Sequence, residues 1–271
     1  MWHGHLGRGA DGHLACRIKN RLARRPPAPQ AGSLCYDEAL GMIKTADKII
    51  VALDVSTKKE ALALVAQLRD QISFFKIGLQ LYTAEGPEIV RAVLSTGAKV
   101  WLDLKLHDIP NTVARAVESA AQLGVQMLTI HLSGGPEMIR AAVTARKNNL
   151  SILGVTVLTS ATDQTLRAIG ISDKIDNQVL RLARLGVEAG IDGLVASPHE
   201  VKMLRAELGA KIRLVVPGIR PSWSEAGDQR RVMTPRQALD AGADYLVIGR
   251  AIIAHPQPRE AVAKILDEIG D

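Results

Sequence analysis

The chain has 271 residues, 47% of them hydrophobic but only 3% aromatic, a balance that suits an Ala/Val/Ile/Leu-rich α/β protein better than a β-sandwich. No apolar run approaches the ~18 residues of a membrane-spanning helix, so no membrane role is expected. The net charge is +6, but residues 1–45 hold seven Lys/Arg against three Asp/Glu, so the remainder carries only +2. It shows no basic stripe of the kind a nucleic-acid partner needs.

Residues 1–45 lack hydrophobic periodicity and contain Arg24-Arg25-Pro26-Pro27-Ala28-Pro29. They read as a disordered basic extension, or as the product of a start codon assigned too early, with Met42 as a later start. No apolar core of a secretory signal is present there. His3, His5 and His13 fit a basic tail more simply than a metal site, and Cys16 and Cys35, the only cysteines, lack metal-ligand spacing. A body without cysteine is compatible with a cytoplasmic location.

From residue 46 to 271 the pattern is regular. Apolar or β-branched runs occur at Ile49–Val55, Phe74–Leu81, Lys99–Leu106, Met127–Ser133, Ile152–Ser160, Gly193–Ser197, Arg213–Ile219 and Tyr245–Arg250. Amphipathic stretches separate them. Ala61, Leu62, Val65, Leu68 and Ile72 repeat at helical spacing behind Thr57-x-x-Glu60, a capping box. Thr234-Pro235-x-Gln237 opens a later helix, and Gly124, Gly190 and Gly242 stand where helices should stop. Eight strand–helix units predict a single (β/α)8 TIM barrel. An open doubly wound sheet would place a Gly-rich turn after the first strand, where this chain has Asp54-Val55-Ser56-Thr57.

A barrel gathers its functional residues at the C-terminal ends of its strands. Asp54, Asp103, Lys105, Asp108, His131, Thr159, Ser160, Arg220 and Arg250 fall at or just beyond such ends, and Lys76 lies early in its run. In Asp103-Leu104-Lys105-Leu106-His107-Asp108-Ile109-Pro110-Asn111-Thr112, strand alternation puts Asp103 and Lys105 on one face, and Asn111 is a candidate helix cap. A lysine is rarely buried alone, so Lys76 is expected to pair with Asp103 on the adjacent strand. Asp54 can cap the next helix or receive ligand hydroxyls. His107 and His131 read as structural. Arg220 and Arg250 end adjacent strands, where barrels often bind phosphate through backbone N–H groups and a basic side chain. The polar segment Pro221–Arg231 has the length of a lid.

Asp103-x-Lys105-x-x-Asp108-Ile109-Pro110-Asn111-Thr112, with Lys76 one strand earlier, resembles the catalytic signature of the orotidine 5'-phosphate decarboxylases. Leu158-Thr159-Ser160, Val216-Pro217-Gly218-Ile219-Arg220-Pro221, Asp228-Gln229-x-Arg231 and Ile248-Gly249-Arg250 also resemble that family, in order and at suitable spacing, over roughly residues 46–270. The resemblance implies decarboxylation of orotidine 5'-monophosphate to uridine 5'-monophosphate, the last step of de novo UMP synthesis, without metal or organic cofactor. It implies that Lys105 donates the proton and that Lys76, Asp103 and Asp108 complete a charged array. Asp108 would serve the neighbouring subunit's site in a homodimer. Asp54 and Lys76 would hold ribose hydroxyls, and Thr159 and Ser160 the pyrimidine. Arg220, Gln229, Gly249 and Arg250 would bind the phosphate, and Thr112 belongs to the same substrate-binding set.

The nearest rival is a metal-dependent sugar-phosphate aldolase or decarboxylase with the same Asp-x-Lys-x-x-Asp core, which needs a divalent ion to stabilise an enediolate. The Ile109-Pro110-Asn111-Thr112 extension and the Arg220–Gln229 segment favour the nucleotide enzyme. A barrel that only binds is a further alternative, and the intact Lys76–Asp103–Lys105–Asp108 set speaks against it.

Overall fold

Strands β1 (Ile49–Ala52), β2 (Phe74–Gly78), β3 (Lys99–Leu106), β4 (Met127–His131), β5 (Ser151–Val155), β6 (Gly193–Val195), β7 (Arg213–Val216) and β8 (Tyr245–Ile248) pair in parallel, in chain order, in the computed structural model. β8 pairs back onto β1, closing the predicted barrel. Residues 45–224 and 233–270 are described; the extension expected over residues 1–45 falls outside them except for Thr45. The described residues belong to one unit, Met42–Asp271.

The helices are α1 (Lys58–Leu68), α2 (Leu79–Glu85), α3 (Pro87–Leu94), α4 (Pro110–Leu123), α5 (Gly135–Ala145), α6 (Asp163–Ala168), α7 (Ile175–Glu188), α8 (Val201–Leu208), α9 (Pro235–Asp240), α10 (Arg250–Ile253) and α11 (Pro258–Ile269). Alternation along the strands sorts side chains into two layers. Ile49, Val51 and Leu53 pack outward with the helices, whereas Ile50 and Ala52 join Phe74, Trp101, Met127, Leu153, Val155, Val195, Val215 and Val247 inside the barrel.

Local signals act as their chemistry predicts. Thr57 and Glu60 form the capping box of α1, and Thr234 and Gln237 that of α9 with Pro235 at its start. Gly124 ends α4 in the left-handed conformation. Other expectations need correction. Asn111 does not cap α4: Ile109 occupies the cap and Pro110 the first turn, because a proline's fixed φ and missing N–H suit that position. Most predicted runs also overshoot at their C-terminal ends, since apolar character continues where the chain has already left the sheet. Leu79 opens α2, and Arg250 opens α10.

The N-terminal rim carries a repeated clasp. Gln126, Asp192 and Asp244 each immediately precede an even-numbered strand. Their backbone N–H groups donate to the carbonyls of Val100, Ile152 and Leu214 at 2.9, 3.0 and 3.0 Å. Their side chains accept the N–H groups of those same residues at 2.6, 2.8 and 2.7 Å. Arg146 then pairs with Asp192 at 2.7 Å and Arg205 with Asp244 at 2.6 Å.

Candidate active site

At the opposite rim the strands surround a cavity of about 500 Å³. Its floor is apolar, built from Ala52, Trp101, Val155, Val195 and Val247. Asp54, Lys76, Asp103 and Lys105 line one side, with Thr159, Arg220, Gly249 and Arg250 also at its wall.

The charged side is an alternating chain of four groups. Lys76 Nζ lies 3.0 Å from Asp54 Oδ1 and 3.7 Å from Asp103 Oδ2. Lys105 Nζ donates to both Asp103 oxygens at 2.8 Å. The expected Lys76–Asp103 pair is present, but Asp54 is the closer partner of Lys76. Asp54 does not cap α1, whose amide is taken by Thr57. Asp103 is only 8% exposed at its side chain and Lys105 28%, so a carboxylate is buried beneath an ammonium that still reaches the cavity. Burial of such a carboxylate is tolerable only because two ammonium groups compensate it.

Lys105 occupies this position through an irregular backbone. The β3–β4 register passes from Leu102↔Leu128 to Leu106↔Ile130, so four steps along β3 oppose two along β4. Within the bulge Lys105 has φ of 52°, and the other described non-glycine residues with positive φ are both asparagines, Asn148 and Asn149. A lysine there is costly, and such strain gathers at functional sites. Gly78, opposite Asp103 in the register, matters for a related reason. A Cβ at that position would stand 3.0 Å from Lys76 Nζ.

The remaining predicted residues divide. Arg220 is buried, donates from Nη1 to its neighbour's carbonyl at 2.9 Å, and is anchored by its N–H to Met233 O at 2.9 Å. Arg250 is exposed at the start of α10. Ser160 is exposed and lines a separate groove with Asp163 and Ile175. Asp108 and Thr112 are exposed and do not line their own chain's cavity, and Asp108 accepts the Ile109 N–H at 2.6 Å. Gln229 lies outside the described residues, as does most of the expected lid. His131 stands beside His107, ring centres 5.6 Å apart. Its pKa is held below the ordinary value chiefly by burial, then by the positive charges of His107 and Lys105, against the opposing pull of Asp103. Gln80 and Trp101 line the cavity and Gly78 borders it beside Lys76, and sequence reasoning singled out none of the three.

Residues 47–265 match the profile of the family described as "Orotidine 5'-phosphate decarboxylase / HUMPS family". The orotidine 5'-phosphate decarboxylase of Geobacter sp. (strain M21) is 48% identical over 229 residues, spanning 82% of this chain and 95% of that protein. The enzyme of the same name from Idiomarina loihiensis is 49% identical over 227 residues, spanning 83% and 98%. The crystal structure of orotidine 5'-phosphate decarboxylase from Lactobacillus acidophilus superposes with a TM-score of 0.74 at 33% identity, covering 83% of this chain and all of that one.

Proposed function

The chain belongs to the orotidine 5'-phosphate decarboxylase / HUMPS family, and from that premise we propose that Lys105 is the proton donor of its reaction. That reaction is the decarboxylation of orotidine 5'-monophosphate to uridine 5'-monophosphate in UMP biosynthesis. The observation that carries the assignment is the Asp54–Lys76–Asp103–Lys105 chain of alternating charge.

When the bond between the pyrimidine and its carboxylate breaks, carbon dioxide leaves and the electron pair stays in an sp² orbital. No π-system delocalises it. A preformed positive charge must meet it, and a proton must follow. An ammonium fixed by a buried carboxylate does both without reorganising at the moment of reaction. The proton passes from Lys105 Nζ to the ring carbon, and solvent restores it after product leaves. In this reading the substrate carboxylate sits beside Asp103, whose charge then opposes the bound reactant more than the neutral departing carbon dioxide.

In this reading Asp54 and Lys76 hold the ribose, Thr159 and Ser160 meet the pyrimidine, and Arg220, Gln229, Gly249 and Arg250 take the phosphate. The phosphate is remote from the reacting carbon, so its binding energy orients the ring. The exposure of Asp108 and Thr112 outside their own cavity supports a homodimer in which they serve the partner's site. A cytoplasmic location belongs to the same reading. Residues 1–45 have no role in it, and removing residues 1–41 is expected to leave kcat unchanged.

The family description also spans HUMPS members, whereas the relatives quoted above carry the decarboxylase name. Ultraviolet absorbance of orotidine monophosphate mixed with the protein and excess EDTA separates the two. Conversion to uridine monophosphate is expected. A folded protein that converts nothing with EDTA, and acts on a sugar phosphate once magnesium is added, overturns the reading.

A further inference from the structure

We propose that Thr129 is a positioning residue for the reaction, its single hydroxyl fixing both ends of Lys105; this rests on Lys105 being the proton donor. Thr129 lies on β4 between Met127 and His131 and is fully buried. Its Oγ1 accepts the Lys105 backbone N–H at 3.0 Å and donates to Asp103 Oδ1 at 2.8 Å.

The direction of these bonds is forced. An amide N–H can only donate and an ionised carboxylate can only accept, so the hydroxyl proton must point at Asp103. The first bond answers a need created by the bulge. Between Leu102 and Leu106 the regular ladder to β4 is interrupted, and the Lys105 amide faces a side chain where it would otherwise face a carbonyl. Thr129 fills that gap in the ladder and satisfies an amide held at φ of 52°. The second bond acts at the other end of the lysine. Asp103 Oδ1 receives both Thr129 and the Lys105 ammonium, so the carboxylate that aims the ammonium is itself aimed by the hydroxyl. Valine in place of threonine keeps the shape and removes both bonds. The ammonium keeps its charge and loses its fixed position.

Positioning and structural roles predict different kinetics. Thr129 does not line the cavity, so substrate affinity has no direct dependence on it. Thr129→Val is expected to lower kcat by about ten- to a hundredfold while KM and the dissociation constant for uridine monophosphate change less than about threefold. Thr129→Ser restores the hydroxyl and is expected to return kcat to within about threefold of the parent. Three outcomes overturn the proposal: a Thr129→Val enzyme within twofold of the parent in kcat; serine and valine variants losing kcat equally; or affinity for uridine monophosphate falling in step with kcat. Should the valine variant not fold, Thr129→Ala replaces it in the comparison with serine. Lys105→Ala, assayed alongside, separates the two readings. An active Lys105→Ala enzyme removes the premise, whereas an inactive one beside an unimpaired Thr129→Val removes only the role of Thr129.

Discussion

Asp192 and Asp103 are both partly or wholly buried aspartates at opposite rims of one barrel, yet they meet different surroundings. At the N-terminal rim Asp192 accepts a backbone N–H from Ile152 and pairs with Arg146, and Asp244 does the same with Leu214 and Arg205. These charges are consumed by the fold. At the C-terminal rim Asp103 holds Lys105 and Lys76 beside an open cavity, and Lys105 sits on a strained backbone. There the charges are organised but left facing a space that a ligand can enter. A carboxylate used for stability closes on backbone; one used for chemistry aims another charged group.

The comparison breaks most visibly at Lys105. Lys105→Ala is expected to lower kcat by more than about 10³-fold while the protein still folds, since it removes the proposed proton donor and its charge together. Steady-state rates beside a thermal melt check this. Arg250→Ala comes next: kcat/KM for orotidine monophosphate should fall roughly 10–100-fold, and much less for phosphate-free orotidine, because only the nucleotide offers a charge-assisted bond there. Equal losses for both substrates would remove the phosphate role.

At the other rim the signs reverse. Asp244→Ala leaves the buried Leu214 N–H without its side-chain acceptor and should cost about 1–3 kcal/mol in urea unfolding, with kcat intact. The smallest effect concerns His131. Its folded pKa lies below the ordinary 6.5, mainly through burial. Above that value the ring is neutral in both states. As pH falls below it, the unfolded chain takes up a proton first, so stability declines until the folded pKa is reached. His131→Gln should flatten the stability profile between pH 7 and 5 by at most about 1.4 kcal/mol per pH unit, read from urea midpoints. An unchanged slope would show that the ring is solvated.

The barrel was legible because its signals are repeated and local: apolar runs, helical periodicity, and caps such as Thr57 with Glu60. Asp103 and Lys105 were legible because charge at a strand end is expensive without purpose. What stayed hidden was set by geometry between strands. Nothing in Leu102-Asp103-Leu104-Lys105-Leu106 announces a bulge, since its alternation is that of an ideal strand. Asp54 as the nearer partner of Lys76 depends on how far the lysine extends. Thr129 looks like any β-branched strand residue, and Gln126, Asp192 and Asp244 like any polar residue before a strand. Their roles exist only once the register is fixed.

The clasps at the N-terminal rim also divide the barrel. Each binds an odd strand to the residue that opens the following even strand, joining β3 to β4, β5 to β6 and β7 to β8. The architecture is thus latched in pairs, and its seams run between them. Asn148 and Asn149, in left-handed turns just before β5, mark one such seam. A chimaera exchanging segments with a relative should be joined there, where the backbone clasps on either side stay within their strand pairs and only the Arg146 contacts to Asp192 and Gly190 span the junction. A crossover between Val100 and Gln126 would instead ask two ancestries to fit the same clasp.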